Sequence, residues 1–156
     1  MPTYRLLTLQ ELKELEKEFI DFLVLNGIPA HDWQRIQKED KTTVDEMIEL
    51  FSDVVFESIM RKTQFLESRG THHLHTFQCL SDHIVLVAME AEPSEETDFT
   101  NPDFVSSAML TPPNGVKIFT TSKAYSKRRE IELFEMLEKG CVIADDRLFK
   151  TLCLAL

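Results

Sequence analysis

The hydrophobic pattern of this chain changes near residue 61, and the change decides which fold classes are open to it. Up to that point apolar side chains recur three or four residues apart, as in Leu12, Leu15 and Phe19, which is the period of an amphipathic helix. Beyond it, short runs of β-branched and aromatic residues alternate with turn signals such as Pro-Pro-Asn-Gly at 112–115. Helices followed by a strand meander are typical of an α+β protein with a mostly antiparallel sheet.

Helix start and stop signals place the helices. Thr8 and Glu11 form a predicted capping box, in which each side chain bonds the backbone amide of the other, and Thr43 and Glu46 form a second one. Ser126 is the expected N-cap of a long C-terminal helix, which Gly140 ends. The expected helices span about 8–26, 30–38, 43–60 and 127–139.

The second half of the chain is expected to supply the sheet. Regular alternation of strands and helices is absent, so a doubly wound parallel sheet is the less favoured alternative. The segment 104–110 fits either a strand or a short helix, and Asp145 is placed to cap a final helical turn. Strands are predicted at 63–67, 74–80, 83–90 and 116–121.

Composition limits both size and partners. A chain of 156 residues with 43% hydrophobic residues predicts one well-packed domain over 1–156. The net charge of -10 argues against nucleic acid and anionic lipid as partners. No secretion signal is visible, and no apolar run reaches the roughly 20 residues of a membrane span, so a cytoplasmic location is expected. Three cysteines without a C-x-x-C spacing predict reduced thiols.

Four of the five histidines fall between His72 and His83, and this cluster is the sharpest chemical feature. Strand alternation places His73, His75 and Cys79 on one face. A two-residue hairpin loop at 81–82 pairs His73 with Glu90 and brings that carboxylate to the same face. Imidazole, carboxylate and thiol ligands suit zinc or iron. The alternative is a wet turn leading into an exposed edge strand, with no metal.

A basic patch is the second candidate site. Lys123, Lys127, Arg128 and Arg129 lie within seven residues, close to the start of the predicted C-terminal helix. Backbone amides at a helix start can help such side chains to hold a phosphate or another anion. The alternative is that these cations are solvated or pair with the acidic loop at 92–98.

Two stretches give the chain a resemblance to a known group. The first runs from Tyr-Arg-Leu-Leu-Thr at 4–8 through Glu11-Leu12 to Phe-Leu-Val-Leu-Asn-Gly-Ile at 22–28. The second runs from Leu-Phe-Ser-Asp-Val-Val-Phe-Glu at 50–57 into Arg61-Lys62 and Phe65-Leu66-Glu67. They resemble a family of short, acidic bacterial proteins of unknown function, over roughly the first 90 residues. The resemblance implies a bacterial cytoplasmic protein, and it implies no activity and no site residues.

The sequence favours a protein-interaction or regulatory module over an enzyme. No nucleophile elbow, phosphate-binding loop or H-E-x-x-H metal motif occurs in the chain. The expected partner is another protein or a second copy of the chain, since symmetric dimers are common. The rival hypothesis is a small metal-dependent enzyme or metal-binding protein that uses His73, His75 and Glu90.

Overall fold

The computed structural model describes residues 2–156, which form an α+β structure, as the sequence predicts. The helices are α1 Leu9–Glu14, α2 Glu16–Leu25, α3 Ala30–Glu39, α4 Lys41–Lys62, α5 Pro102–Leu110, α6 Arg129–Glu138 and α7 Arg147–Ala155. The strands are β1 Phe65–Arg69, β2 His73–Cys79, β3 His83–Ala91, β4 Val116–Ala124 and β5 Val142–Ala144.

The chain divides into two compact units. The first ends at Arg61 and is helical, and the second, Lys62–Leu156, contains the whole sheet and the last three helices. Whether the two units unfold together as one domain over 1–156 stays a prediction.

The helix starts of the first unit follow the capping rules, with one correction. The Thr8 hydroxyl accepts from the Glu11 amide at 3.1 Å, and the Glu11 carboxylate accepts from the Thr8 amide at 2.8 Å, so this predicted capping box is confirmed. The predicted helix at 8–26 is divided into α1 and α2 by Leu15. The box predicted at Thr43 is wrong, because the Asp40 carboxylate lies upstream and accepts from the Thr43 amide at 3.2 Å.

Aromatic side chains hold the first unit together. Phe19 packs edge-on against Trp33, with ring centroids 5.4 Å apart, and against Phe51 at 4.9 Å. Phe22 reaches the same Phe51 ring at 5.3 Å. The helical spacing in the sequence therefore marks a packed stripe.

The second unit is built on a five-stranded antiparallel sheet in the order β4-β3-β2-β1-β5. The predicted hairpin register is confirmed, because His73 lies opposite Glu90 and Cys79 opposite Ile84. A two-residue loop leaves little freedom in that pairing.

One face of this sheet carries the main core of the second unit. Leu74, Val87 and Met89 point from it toward α5 and α7 and are fully or almost fully buried. The segment 104–110 is helical rather than extended, and the Asn101 side chain caps α5 by accepting from the Asp103 amide at 2.9 Å. The opposite face carries the histidines.

Candidate functional site

The predicted histidine cluster forms on the sheet face opposite α5 and α7. We call Ser68, His73, His75 and Glu90 the histidine face. His75 Nε2 lies 2.7 Å from Glu90 Oε1, and His73 Nε2 lies 3.2 Å from Ser68 Oγ. The two imidazole rings are 4.7 Å apart, centroid to centroid. Each imidazole therefore already has a hydrogen-bond partner on a neighbouring strand.

Cys79 shares the strand parity of these histidines but not their environment. Its side chain is buried, and burial raises the pKa of the thiol to about 12. Desolvation by burial, followed by the electrostatic effect of His75, lowers the pKa of His73. Within residues 2–156, no group of three or more His, Cys, Asp or Glu side chains is placed to hold a metal ion. A zinc or iron site on His73, His75, Glu90 and Cys79 stays a prediction.

The other two histidines of the cluster lie apart from this face. His72 Nδ1 is 2.9 Å from the Thr97 hydroxyl, which itself donates to the Thr71 carbonyl at 2.9 Å. His83 Nδ1 is 2.7 Å from the carboxylate of Asp82 in the hairpin loop. Their contacts serve the turns at the two ends of the hairpin.

The basic patch is brought together, and its cations contact glutamates of α6. Lys123, at the end of β4, bonds Glu132 at 2.5 Å, Lys127 bonds Glu135, and Arg128 lies 3.4 Å from Glu130. An anion site on Lys123, Lys127, Arg128 and Arg129 stays a prediction, and an anion would have to compete with these carboxylates.

The turn before α6 is closed by a buried carboxylate, which corrects the predicted cap. The α6 helix begins at Arg129 and not at Lys127, and Glu132 accepts from the Ser126 amide at 2.8 Å and the Lys127 amide at 3.3 Å. Burial raises the pKa of Glu132, but its bonds to Lys123 and to these amides outweigh burial and lower it overall.

The first residue of α6, Arg129, is a structural tie. Its guanidinium donates to the carbonyls of Leu80 and Cys79, both at 3.1 Å, and to that of Thr63. These carbonyls lie at the end of β2 and just before β1. Arg129 therefore joins α6 to the sheet, and it is not a free cation of the basic patch.

Strand β4 leaves one backbone edge open, and hydrogen-bond alternation shows which residues face outward. The Leu80 amide donates to the His83 carbonyl, so His83 and every second residue after it in β3 point their backbone N–H and C=O groups toward β2. The residues between them point their backbone groups toward β4. Because of the register between the two strands, Lys117 and every second residue after it in β4 point their backbone groups toward β3. The residues that face outward are Val116, Ile118, Thr120, Ser122 and Ala124.

The other edge, β5, opens on a cleft. The Cys79 amide donates to the Gln64 carbonyl, so Phe65 and Glu67 turn their backbone groups toward β5. Ile143 therefore directs its own amide and carbonyl away from the sheet. Beside it lies a cleft of about 580 Å³ between the β1–β5 edge, α5 and α7.

Comparison with known proteins places the chain in a family. The model of a family of unknown function, DUF6495, matches residues 1–156. The chain belongs to DUF6495. No curated protein and no solved structure matches it significantly. The likeness suggested by the segments at 22–28 and 50–57 agrees with a family of unknown function, and the family match extends over the whole chain.

For this member of DUF6495, sequence reasoning missed both open edges and the cleft. The residues that line the cleft come from β1, α5, β5 and α7, which are far apart in the chain. The one available signal was the short apolar run at 142–144, which reads as a strand without showing what lies beside it. Among the described helices, none is long and apolar enough to cross a membrane.

Proposed function

We propose that this chain is a non-enzymatic protein-interaction module that pairs with a second copy of itself along β4. The nine-residue open edge of β4 supports this most directly, because strand pairing ends there within the described residues. An unpaired strand edge presents a row of amides and carbonyls that another strand can satisfy. From Thr120 to Ala124 the side chains are exposed, so the edge is accessible.

A two-fold axis through Thr120 gives the pairing its geometry. It places Val116 opposite Ala124 of the second copy and Ile118 opposite Ser122. The five outward residues then exchange about ten backbone hydrogen bonds. At about 0.5–1.5 kcal/mol net each, these total about 5–15 kcal/mol, close to the estimated association cost of about 4–15 kcal/mol. We therefore expect a weak, concentration-dependent dimer.

Two lysines near the edge do not prevent this pairing. Edge lysines usually discourage strand addition, and the two-fold pairing brings Lys117 of one copy opposite Lys123 of the other. However, Lys123 is neutralised by Glu132 at 2.5 Å, and Lys117 lies opposite Glu90 in the register. Each lysine thus has a carboxylate of its own chain nearby.

Sedimentation equilibrium over a wide concentration range tests the proposal. The variant Ser122→Pro removes one outward amide, and proline is tolerated where an edge strand faces solvent. The matched control Ser122→Ala removes only the side chain. We expect the wild type and Ser122→Ala to approach the dimer mass as concentration rises and Ser122→Pro to remain monomeric, with unchanged circular dichroism. A wild type that is monomeric throughout, or a Ser122→Pro variant that dimerises equally well, would refute it.

We also propose a cytoplasmic location in a bacterium. The three cysteines Cys79, Cys141 and Cys153 are free thiols, which is usual in a reducing compartment. Fractionation of cells that express the tagged protein tests the location. Recovery from the medium or from an oxidising compartment would contradict it.

A further inference from the structure

An open cleft with apolar residues in its walls lies beside β5. Its volume of about 580 Å³ lies within the usual range for ligand pockets. Apolar side chains from both helices line it, including Val105, Met109 and Leu148. The side chain of Val142, on the edge strand, remains 57% exposed although it borders this apolar wall. The cleft therefore leaves apolar surface for a ligand to cover.

The open edge of β5 can align an extended ligand alongside the sheet. Ile143 directs its amide and carbonyl outward, and its side chain is 50% exposed. A strand added there would alternate its side chains between the cleft and the opposite face. An extended peptide segment fits this arrangement, because backbone bonds hold it and every second side chain enters the cleft.

The carboxylate of Glu67 favours a positively charged side chain of the bound segment at this position in the cleft. The Glu67 side chain is only 10% exposed, and its Oε1 accepts from Arg69 at 3.0 Å. No other residue among 2–156 donates to Glu67, and no deeply buried side-chain oxygen in that range lacks a partner, so Oε2 keeps some exposed surface. Glu67 is one of the residues that line the cleft. A carboxylate oxygen in a largely buried position binds a cationic donor more strongly than a neutral one.

Glu67 differs from the other charged residues of the cleft because its side chain is largely buried. Arg147 and Asp145 pair at 2.8 Å at the rim, where the arginine side chain is almost fully solvated. Arg69 contacts Glu67 and is itself partly exposed. The net charge of -10 adds a long-range attraction for basic partners.

From these observations we infer that the β5 cleft binds an extended, basic segment of a partner protein. The segment adds to β5 as a sixth strand, places apolar side chains against α5 and α7, and directs one lysine or arginine to Glu67 Oε2. This site lies on the sheet edge opposite β4, so it does not depend on the proposed self-association.

A pair of synthetic peptides tests the inference on the unmodified protein. Both alternate valine and threonine over seven residues with blocked ends, and the central residue is lysine in one and glutamine in the other. Binding is measured by isothermal titration, and the site by chemical shifts of the backbone amides. We expect the lysine peptide to bind about ten- to a hundred-fold more tightly than the glutamine peptide and to shift the Ile143 amide.

A charge variant and its control complete the test. Glu67→Gln keeps the shape of the side chain and is expected to abolish the preference for lysine, whereas Asp145→Asn at the rim is expected to retain it. If neither peptide binds, if both bind equally to the wild type, or if the shifts fall outside the cleft, the inference is wrong. The comparison of the two peptides on the wild type stands even if Glu67→Gln fails to fold.

Discussion

Replacing Arg129 by methionine should destabilise the second unit far more than its position on a charged helix suggests. The Arg129 side chain is 14% exposed, and its guanidinium donates to three carbonyls, of which those of Cys79 and Thr63 belong to buried residues. Methionine retains the aliphatic length but removes every donor. Leaving a buried acceptor unpaired costs about 1–3 kcal/mol, so two such carbonyls and the lost hydrogen bond to Leu80 together give about 3–7 kcal/mol.

The neighbouring Arg128 supplies the matched control. Its side chain is 48% exposed, against 14% for Arg129, and its contact with Glu130 is a surface ion pair, so Arg128→Met should cost only about 0–1 kcal/mol. Urea unfolding followed by circular dichroism measures both free energies of unfolding, and thermal unfolding should show Arg129→Met melting about 6–28 °C lower than the wild type. Equal losses in the two variants would mean that Arg129 does not tie α6 to the sheet.

Four further results are expected. The pKa of Glu132 is lowered on folding from its usual 4.5. The stabilising contribution of Glu132 is therefore present above pH 4.5 and is lost as the pH falls through the lower pKa of the folded state. The difference in unfolding free energy between wild type and Glu132→Gln should shrink in acid, and a constant difference would contradict this. Iodoacetamide followed by mass spectrometry should label the exposed Cys153 first and Cys79 last, because Cys79 is buried and its pKa is about 12; early labelling of Cys79 would show that it is accessible. Elemental analysis of untagged protein should show no stoichiometric zinc or iron, and retained metal that is lost on replacing the histidines of the histidine face would instead favour the metal hypothesis. A helical unit of about 60 residues is marginal alone, so fluorescence of the single tryptophan, Trp33, should report the same urea transition as circular dichroism, and separated transitions would refute the single domain.

Local signals in the sequence predicted the parts of the fold that short-range rules control. The hairpin of β2 and β3 has the predicted register because a two-residue loop fixes it, and the box at Thr8 formed because its two residues lie three positions apart at a helix start. The predicted caps at Thr43 and Ser126 failed because both helices begin elsewhere. The α4 helix already begins at Lys41, where the Asp40 carboxylate bonds the Thr43 amide, and α6 begins only at Arg129, after the turn that Glu132 closes.

Features that depend on residues far apart in the chain could not be predicted from local sequence signals. Strand order depends on pairing between segments up to about 80 residues apart, as when β5 joins β1, and no local rule selects that partner. The candidate site was predictable in part, since His73, His75 and Glu90 lie on the predicted face. Cys79 lies on the same strand, but its side chain is buried and it does not join the histidine face. The cleft depends on four elements, and none of them identifies it alone.

The order of the strands gives the two proposed contacts independent surfaces. β4 and β5 lie at opposite ends of the sheet with three strands between them, so at the usual strand spacing they are about 19 Å apart. β4 offers a long edge on which Lys123 is paired with Glu132 and Lys117 lies opposite Glu90, which suits an identical strand. β5 offers a short edge whose specificity comes from the cleft and from Glu67. Under the two proposals taken together, the chain would join a second copy along β4 and bind a basic partner at β5 at the same time, which is the arrangement of an adaptor.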